Sequence, residues 1–316
     1  MQKKTSFDGF IMKNEKRMID KCRVCGNKDI SYLCNTFNAH SKTTSISHYS
    51  CSTCGSVFVG NDIDSEELGV AYSTIDSKKY YEEIESGTTN KMNAGAKYLE
   101  TVMPYSNSII DIGTGNGLFV EILKKSGFSD VSAHEIEGTD LSRIRNIANY
   151  IYQDHDYSTI PSDKFDAVTL LDVLEHVLHP QYLINTCARI LKNDGVIYFH
   201  TPVVTKLDRF MHFLLKLPIL KRVGAIWQRG RTSIFHLENY TPKSLALILE
   251  NAGFSDIDIK VKNELSWPLK MYVRVYLLEK LGIPVFLTPF LTPFFYPFLA
   301  TNIFNANKAI VIARNG

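Results

Sequence analysis

Two pairs of cysteines near the start of the chain have the spacing of metal ligands. They occur as Cys22-Arg-Val-Cys25-Gly and Cys51-Ser-Thr-Cys54-Gly. Each CxxC turn can offer two thiolates, and the glycine after it permits the open backbone that lets amide N–H groups face the sulfurs. A segment of this length is too short to bury much core, so a metal would supply the missing folding energy. We therefore predict a zinc ribbon over residues 21–62, with a structural Zn²⁺ bound by Cys22, Cys25, Cys51 and Cys54.

Other roles for the cysteines are weaker alternatives. Two incidental dithiols or a redox CxxC would fit the composition, but a redox function needs only one CxxC pair. His40 and His48 could replace a cysteine ligand, although four thiolates already complete the zinc shell. Cys34 and Cys187 are predicted to be ordinary buried or half-buried thiols.

A glycine-rich loop follows the strand-like run Ser108–Ile112. Its three glycines let the backbone approach a ligand that a Cβ would exclude. Asp111 stands two residues before the first glycine, and Leu118 occupies the position where a dinucleotide fingerprint has glycine or alanine. An acid there would repel a pyrophosphate and would suit a cationic ligand. Glu135 ends the next strand-like run, where a carboxylate can accept hydrogen bonds from both hydroxyls of a ribose.

S-adenosyl-L-methionine contains both a ribose and a positively charged group, and we predict it as the cofactor. An ordinary glycine turn between a strand and a helix is the alternative. The residues that this pattern predicts to bind the cofactor are Asp111, Gly113, Thr114, Gly115, Gly117 and Glu135.

Candidate acid–base residues lie in Asp172-Val-Leu-Glu175-His176, which directly follows the strand-like run Phe165–Leu171. In methyl transfer the sulfonium is already a good leaving group, so the protein mainly positions the acceptor and removes its proton. An imidazole titrates near neutrality, and a neighbouring carboxylate can orient it. We predict His176 as the general base, with Glu175 beside it; the alternative is that both cap or pack a helix. His200 and His236 are weaker candidates, equally suited to hydrogen-bonding loop backbone.

After residue 106 the chain alternates strand-like and helical runs, which predicts a mostly parallel sheet with helices on both faces. Ligands of such sheets bind at the carboxyl ends of the strands. The strand-like runs are Ser108–Ile112, Val131–Ile136, Phe165–Leu171, Val196–His200, Ile257–Val261 and Ala309–Ala313. The helical runs between them are Leu118–Ser126, Leu141–Asn149, Pro180–Leu191 and Pro242–Ala252.

Five segments in order carry a family resemblance: Asp111–Gly117, Glu135, Phe165–Val177, Leu191–Pro202 and Leu249–Phe254. They resemble the successive motifs of class I S-adenosylmethionine-dependent methyltransferases, from about residue 106 to the end of the chain. Within that superfamily the chain is similar to a bacterial branch that carries an N-terminal four-cysteine zinc module and in many cases methylates sugars or other small metabolites.

This resemblance implies an α/β fold with a Rossmann-like seven-stranded sheet. It also implies that an acid after the third strand lies near the adenine; Asp154 and Asp156 both fit, and we favour Asp154. Asp172 is expected beside the cofactor, and the resemblance supports His176 because related sugar C-methyltransferases use a histidine at this motif. The implied domains are a leader at 1–20, the ribbon at 21–62, a helical cap or linker at 63–104, and a methyltransferase domain at 105–316 with cap insertions at about 203–236 and 264–306.

Charge and hydropathy give weaker indications about partners. The net charge of +2, from 35 basic and 33 acidic side chains, provides no field that would indicate nucleic acid. The first 21 residues contain no apolar run of signal-peptide length, which predicts a cytoplasmic protein.

Two segments fall outside the common pattern. Residues 206–231 contain seven basic side chains against Asp208 alone, a net charge of +6, interleaved with apolar residues. This composition is typical of a basic interfacial helix, or of a solvated lid or a lid that holds a phosphate-bearing acceptor. Residues 281–304 contain no charge and four prolines, and a complete bilayer span is excluded because Ala309–Ala313 must rejoin the sheet. Peripheral contact with the inner face of the membrane, a cap over the acceptor and a homodimer surface are the alternatives.

The sequence thus predicts a methyltransferase that acts on an O or C atom of a small metabolite, with a sugar on a nucleotide diphosphate or a lipid carrier as the leading acceptor. No nucleic-acid partner is expected. An RNA methyltransferase with a zinc module is one rival, but the ribbon is not strongly basic and no NPPY-type motif for a flipped base is present. A non-catalytic assembly protein is the other, and the intact Asp111–Gly117 loop and Glu135 argue against it.

Overall fold

The structure is a computed structural model that describes residues 18–37, 45–61, 63, 77–104, 107–232, 235–265, 268–274 and 284–316. The predicted leader is therefore covered only from Met18, and the predicted linker only at residue 63 and from residue 77. His40, a candidate zinc ligand, and residues 281–283 of the charge-free segment lie outside the described residues.

A four-stranded antiparallel sheet holds the cysteines. Three of its strands come from the predicted ribbon: β1 (Ile30–Phe37), β2 (Ser45–Cys51) and β3 (Val57–Val59). The fourth, β9 (Glu238–Asn239), comes from far along the chain and pairs with β3. The ribbon sheet is therefore completed by the part of the chain that was predicted to be the methyltransferase domain.

The main sheet has seven strands, as the resemblance implied. Its strands are β4 (Ser108–Ile112), β5 (Asp130–Glu135), β6 (Ile151–Gln153), β7 (Phe165–Leu171), β8 (Leu191–Pro202), β10 (Phe254–Lys262) and β11 (Lys308–Asn315). Their spatial order is β10–β11–β8–β7–β4–β5–β6, and β11 runs in the direction opposite to the other six strands. The predicted α/β class with a Rossmann-like sheet is confirmed.

Helices cover both faces of this sheet. α1 (Ser77–Val102) and α2 (Leu118–Lys125) pack with Ile109 in one buried cluster. α3 (Pro180–Ile190) and α6 (Pro242–Glu250) pack with Ile110 in another. Successive side chains of a strand point to opposite faces, so adjacent isoleucines of β4 serve both cores. The continuous burial of β4 follows from this two-sided packing.

The run Leu141–Asn149, predicted to be helical, forms a series of turns instead. These turns fill the space behind the glycine loop, because a Cβ built on Gly117 would come within 2.4 Å of Ile144 Cγ2. The run ends by returning to the sheet, where the Asn149 N–H donates to the Val131 oxygen at 2.8 Å. The spacing of apolar residues therefore predicted a helix where tertiary packing fixes a short series of turns.

Two insertions form a separate packed unit, which we call the cap. The first, α4 (Lys206–Leu214) and α5 (Lys221–Arg231), follows β8; the second, α7 (Leu269–Tyr272), α8 (Thr288–Leu299) and α9 (Asn302–Asn305), joins β10 to β11. Leu207, Val273 and Leu299 form the centre of the cap. None of the helices in the described ranges is both long enough and apolar enough to cross a membrane.

Candidate active site and zinc centre

The glycine loop lies between β4 and α2, at the carboxyl edge of the main sheet. Gly113, Gly115 and Gly117 have φ angles of 66°, 58° and 82°, a region that residues with a Cβ rarely adopt. A Cβ at position 113 would also come within 2.7 Å of Val173 Cγ2. The backbone N–H groups of Gly113 and Thr114 both donate to the His134 oxygen, at 3.0 and 3.1 Å. The glycines are thus required by the turn and by its close packing.

Glu135 ends β5 and lies against this loop. Its Oε2 accepts a hydrogen bond from the Gly115 N–H at 2.6 Å, and its Oε1 accepts one from the Ile136 N–H at 2.9 Å. Burial raises the pKa of Glu135, and these backbone hydrogen bonds counter that effect. The carboxylate therefore lies on the glycine loop, and its contact with a ribose stays a prediction.

Asp111 lies inside β4, two residues before the loop, and is 2% exposed. The Thr169 hydroxyl of β7 donates to its Oδ1 at 2.6 Å. Burial raises the pKa of Asp111 to about 7, although its hydrogen bonds lower it. The carboxyl group joins β4 to β7 beneath the loop, so the structure gives it a role in fixing the loop. Direct contact with a cofactor stays a prediction.

Asp154 follows β6, as predicted, and its carboxylate organises the loop there. Oδ1 accepts hydrogen bonds from the Tyr157 N–H at 2.6 Å and lies 3.2 Å from His134 Nε2. Oδ2 accepts from the Thr159 hydroxyl and, at 3.3 Å, from the Thr159 N–H. Asp156, the alternative, accepts from the Ser158 N–H at 3.1 Å. The structure places both acids in turns, and a role near the adenine stays a prediction for Asp154.

Asp172 occupies the carboxyl end of β7 with a φ of 60° and holds two lysines that the sequence did not single out. Lys91 Nζ of α1 donates to its Oδ2 at 2.5 Å, and Lys308 Nζ of β11 donates to its Oδ1. Burial alone would raise the pKa of Asp172, but the two ammonium groups hold it well below its usual range. Glu264 Oε1 lies 3.7 Å from Lys91 Nζ. A cluster of paired charges therefore lies beside the predicted catalytic turn.

Glu175 and His176 form one turn of 3-10 helix, Leu174–His176, immediately after β7. His176 Nδ1 lies 2.5 Å from the Phe235 carbonyl oxygen, which can only accept, so Nδ1 carries a proton. A neutral ring of this tautomer has its lone pair on Nε2, as a general base requires. Glu175 is fully buried; its Oε2 accepts from the Thr201 hydroxyl at 3.0 Å, whereas its Oε1 has no partner among the described residues.

Two further histidines lie near this turn. The His236 ring packs edge-on against that of His176, with centroids 4.7 Å apart, and burial lowers the pKa of His236 to about 3. Glu175, His176 and His236 bring ligand atoms within 4.8 Å of one another, so this cluster could hold a metal ion. His200, by contrast, is 1% exposed within β8 and pairs with the Tyr198 hydroxyl at 2.7 Å. The structure therefore keeps His236 beside the candidate base and encloses His200 in the sheet.

The four predicted zinc ligands meet at the start of the ribbon. Cys22 Sγ lies 3.6 Å from Cys54 Sγ, and Cys25 Sγ lies 3.5 Å from Cys51 Sγ. All four sulfurs fall within 4.8 Å of one another, and none forms a disulfide. Zinc–thiolate bonds of about 2.3 Å in a tetrahedron put the sulfurs about 3.8 Å apart, so the donor set fits Zn²⁺.

The other predicted ligands and thiols lie elsewhere. His48 is fully buried, and its two ring nitrogens lie 2.7 Å from the hydroxyls of Thr36 and Thr232, away from the thiolate cluster. Cys34 and Cys187 are buried, as expected of ordinary thiols. Burial raises the pKa of Cys34 to about 12 and that of Cys187 further. The predicted zinc site thus needs no nitrogen ligand.

The four-cysteine ribbon is joined to the turn Leu174–His176 through residues 237–241. On the ribbon side, Thr241 Oγ1 donates to the Cys54 oxygen at 2.6 Å, and Glu238 pairs with Phe58 of β3. On the other side, the Tyr240 hydroxyl donates to the Leu174 oxygen at 2.8 Å. A single short segment therefore contacts both the knuckle that holds Cys54 and the turn that holds His176.

The family assignment rests on a family model described as a methyltransferase domain, which matches residues 87–259, more than half of the chain. The chain belongs to the methyltransferase domain family. The matched residues include the glycine loop, Glu135, Asp154 and the turn with Glu175 and His176. They do not include the four cysteines, so the family says nothing about the zinc ribbon.

Curated relatives cover a smaller part of the chain. A ubiquinone biosynthesis O-methyltransferase of Coxiella burnetii (strain Dugway 5J108-111) is 32% identical over 117 residues, which are 33% of this methyltransferase-family chain and 48% of the relative. The protein of the same description from Actinobacillus pleuropneumoniae serotype 7 is 29% identical over 109 residues, 31% and 46% of the two chains. The chain thus spans about half the length of the curated relatives it matches.

Among solved structures, a SAM-dependent methyltransferase from Archaeoglobus fulgidus aligns with 71% of this chain and 94% of its own. The two chains are 17% identical, and the TM-score is 0.44. Similarity at this level supports no inference about the site.

Proposed function

We propose that the chain is an S-adenosylmethionine-dependent methyltransferase that transfers a methyl group to an O or C atom of a small metabolite. The observation that carries the proposal is the 2.6 Å hydrogen bond from the Gly115 N–H to Glu135 Oε2. It brings the predicted ribose-binding carboxylate onto the glycine loop, at the carboxyl edge of the sheet. The family model supports the reaction class, because its match includes both residues.

The residues at the edge of the sheet suit the tasks that this reaction leaves to the protein. S-adenosylmethionine supplies an activated methyl group when bound. Glu135 and the glycine loop would bind and orient the cofactor, and His176, held through Nδ1 by the Phe235 oxygen, would take the acceptor proton at Nε2. Buried Glu175 lies next to it in the same turn, and its Oε1 has no partner among the described residues.

For the acceptor, we favour a sugar carried on a nucleotide diphosphate or on a lipid. The exposed lysines and arginines of α4 and α5 add positive charge to the cap that follows β8. This positive charge on the cap supports an acceptor that carries phosphate. O-methylation is favoured over C-methylation because the curated relatives are described as O-methyltransferases.

The test is cofactor binding and methyl transfer by the full chain. Isothermal titration calorimetry should show binding of S-adenosylmethionine or S-adenosylhomocysteine. Purified protein with methyl-labelled cofactor should label sugar nucleotides or extracted lipid-linked glycans, and not RNA. Absence of cofactor binding would contradict the methyltransferase proposal. Binding with label transferred only to RNA would contradict the proposed acceptor, and binding without transfer to any extract would favour the non-catalytic alternative.

A further inference from the structure

The outer face of α8 is a row of exposed phenylalanines. Phe290 and Phe294 are one helical turn apart and are 76% and 66% exposed, and Phe286, one turn earlier, is 71% exposed. Leu291 and Leu299 of the same helix pack inward, into the centre of the cap. No residue of α8 is charged. A helix that is apolar on both its packed and its outer face is typical of one whose outer face meets another apolar phase.

The first insertion continues this apolar surface within the same packed unit. Met211 of α4 and Trp227 of α5 pack in the same cluster as Leu291, so α4, α5 and α8 form one body. On the outside of that body, Phe213 is 54% exposed, and Ile219, in the connection between α4 and α5, is 92% exposed. The cap therefore carries large apolar side chains on both of its insertions.

Exposed cations accompany these apolar side chains. The single acid of residues 206–231, Asp208, is 2% exposed and is bound by Arg231 at 2.9 Å and by the Trp227 indole N–H at 2.6 Å. Its charge is thus neutralised inside the cap. The basic residues of α4, α5 and their connection that remain exposed are Lys206, Arg209, Lys216, Lys221 and Arg222.

We propose that the cap docks on the surface of a bilayer that contains anionic lipids. Exposed aromatic and aliphatic side chains would enter the interfacial region, and the exposed lysines and arginines would contact the anionic headgroups. Charge complementarity favours this occupant over a second copy of the chain, because a two-fold dimer through the cap would bring two sets of like charges together. The docking is peripheral.

The position of the cap determines which edge of the sheet would lie towards the bilayer. The first insertion leaves the sheet at the end of β8, and the second leaves it at the end of β10 and returns at Lys308. Lys308 is also the residue that binds Asp172. The cap thus grows from the edge of the sheet that holds the candidate active site. The use of this orientation for a lipid-linked acceptor rests on the proposed function, whereas the docking itself does not.

Co-sedimentation of the full chain with phosphatidylcholine vesicles, with and without phosphatidylglycerol, tests the proposal. Binding is expected to the anionic vesicles at low salt and to be largely lost at high salt. The variants Phe290→Ser/Phe294→Ser and Lys216→Glu/Lys221→Glu should each weaken the partition coefficient about 10-fold or more. All four side chains are exposed, so both variants should keep the cofactor affinity of the unmodified chain. Tyr32→Ser on the ribbon and Lys97→Glu on α1 are the matched controls.

Two outcomes would overturn the proposal. One is the absence of binding to anionic vesicles at low salt. The other is a dimer in sedimentation-velocity runs that Phe290→Ser/Phe294→Ser dissociates while vesicle binding is absent, which would assign the surface to a second copy. Retained S-adenosylmethionine binding in either case would leave the proposed function intact, so the two failures can be told apart.

Discussion

The backbone N–H of Leu237 donates to the carbonyl oxygen of Glu175 at 2.8 Å. One residue later, Glu238 enters the ribbon sheet by pairing with Phe58. The turn that carries His176 and the four-cysteine ribbon are therefore joined by a single short segment. Because Glu175 is fully buried, a shift of that strand would be transmitted to the turn that carries His176.

The first prediction concerns the ribbon. Cys51→Ser removes one of four thiolates, so the variant should lose most of its zinc and its Tm should fall by about 5 °C or more. Methyl transfer should also slow, because residues 237–241 bond both to the ribbon and to the turn that carries His176, while cofactor affinity should stay near that of the unmodified chain. Elemental analysis, thermal unfolding and calorimetry measure the three quantities. Cys34→Ala, which changes a buried thiol outside the cluster, should keep its zinc; unmodified protein without stoichiometric zinc would contradict the site.

A second prediction concerns the cofactor. Glu135→Ala removes the carboxylate that lies on the glycine loop and should weaken S-adenosylmethionine binding by about 1.5–3 kcal/mol, the contribution of a charged hydrogen-bond partner. Isothermal titration calorimetry measures the change. Glu250→Ala, an exposed glutamate at the end of α6, is the control and should bind normally. Equal affinities of the two variants would show that Glu135 does not contact the cofactor.

The third prediction concerns the base. His176→Ala should lower turnover about 100-fold or more and leave cofactor affinity near normal. Single-turnover assays with labelled cofactor should give this result with or without a chelator. His236→Ala is the comparison, because the His236 ring packs edge-on against that of His176. An activity that requires added Mg²⁺ or Mn²⁺, and that loses this requirement in His236→Ala, would make His176 a metal ligand rather than the base.

The fourth prediction concerns pH. Burial raises the pKa of Asp111 to about 7 in the folded chain, above the unfolded value of about 3.9. Between these values the folded state binds more protons, so this group lowers stability as the pH rises through that window. Asp111→Asn removes the effect, and its Tm relative to the unmodified chain should increase from pH 4 to pH 8. Exposed Asp194→Asn is the control, and a Tm difference independent of pH would contradict the assignment.

Local patterns were sufficient to predict much of the architecture. The strand Ser108–Ile112 was predicted with its observed bounds, because a buried apolar run followed by glycines is a local signal. The position of His176 just after β7 followed from the same reasoning. The four cysteines converge as their spacing indicated, since each CxxC turn is local and only one contact had to form between the two turns.

Features that depend on distant pairing were not predicted. Lys91 and Lys308 both bind Asp172, but their proximity depends on β11 pairing with β8 and on α1 packing beside the sheet. β9 has only two residues, too few for a periodic signal, yet it completes the ribbon sheet. The sequence did contain one indication of where Lys308 lies. It stands directly before the last strand-like run, and the first residue of a strand that runs antiparallel to the others lies at the carboxyl edge of the sheet.

The position of β11 also determines the order in which the main sheet can be completed during synthesis. It lies between β8 and β10, so β10 has no partner in the main sheet until β11 has been made. β11 also delivers Lys308 to Asp172. A nascent chain that has been translated only as far as residue 262 therefore exposes β10 as an unpaired strand and leaves Asp172 without one of its two cations. The candidate active site is completed only when the ribosome has released residues 308–315, after every other strand is available.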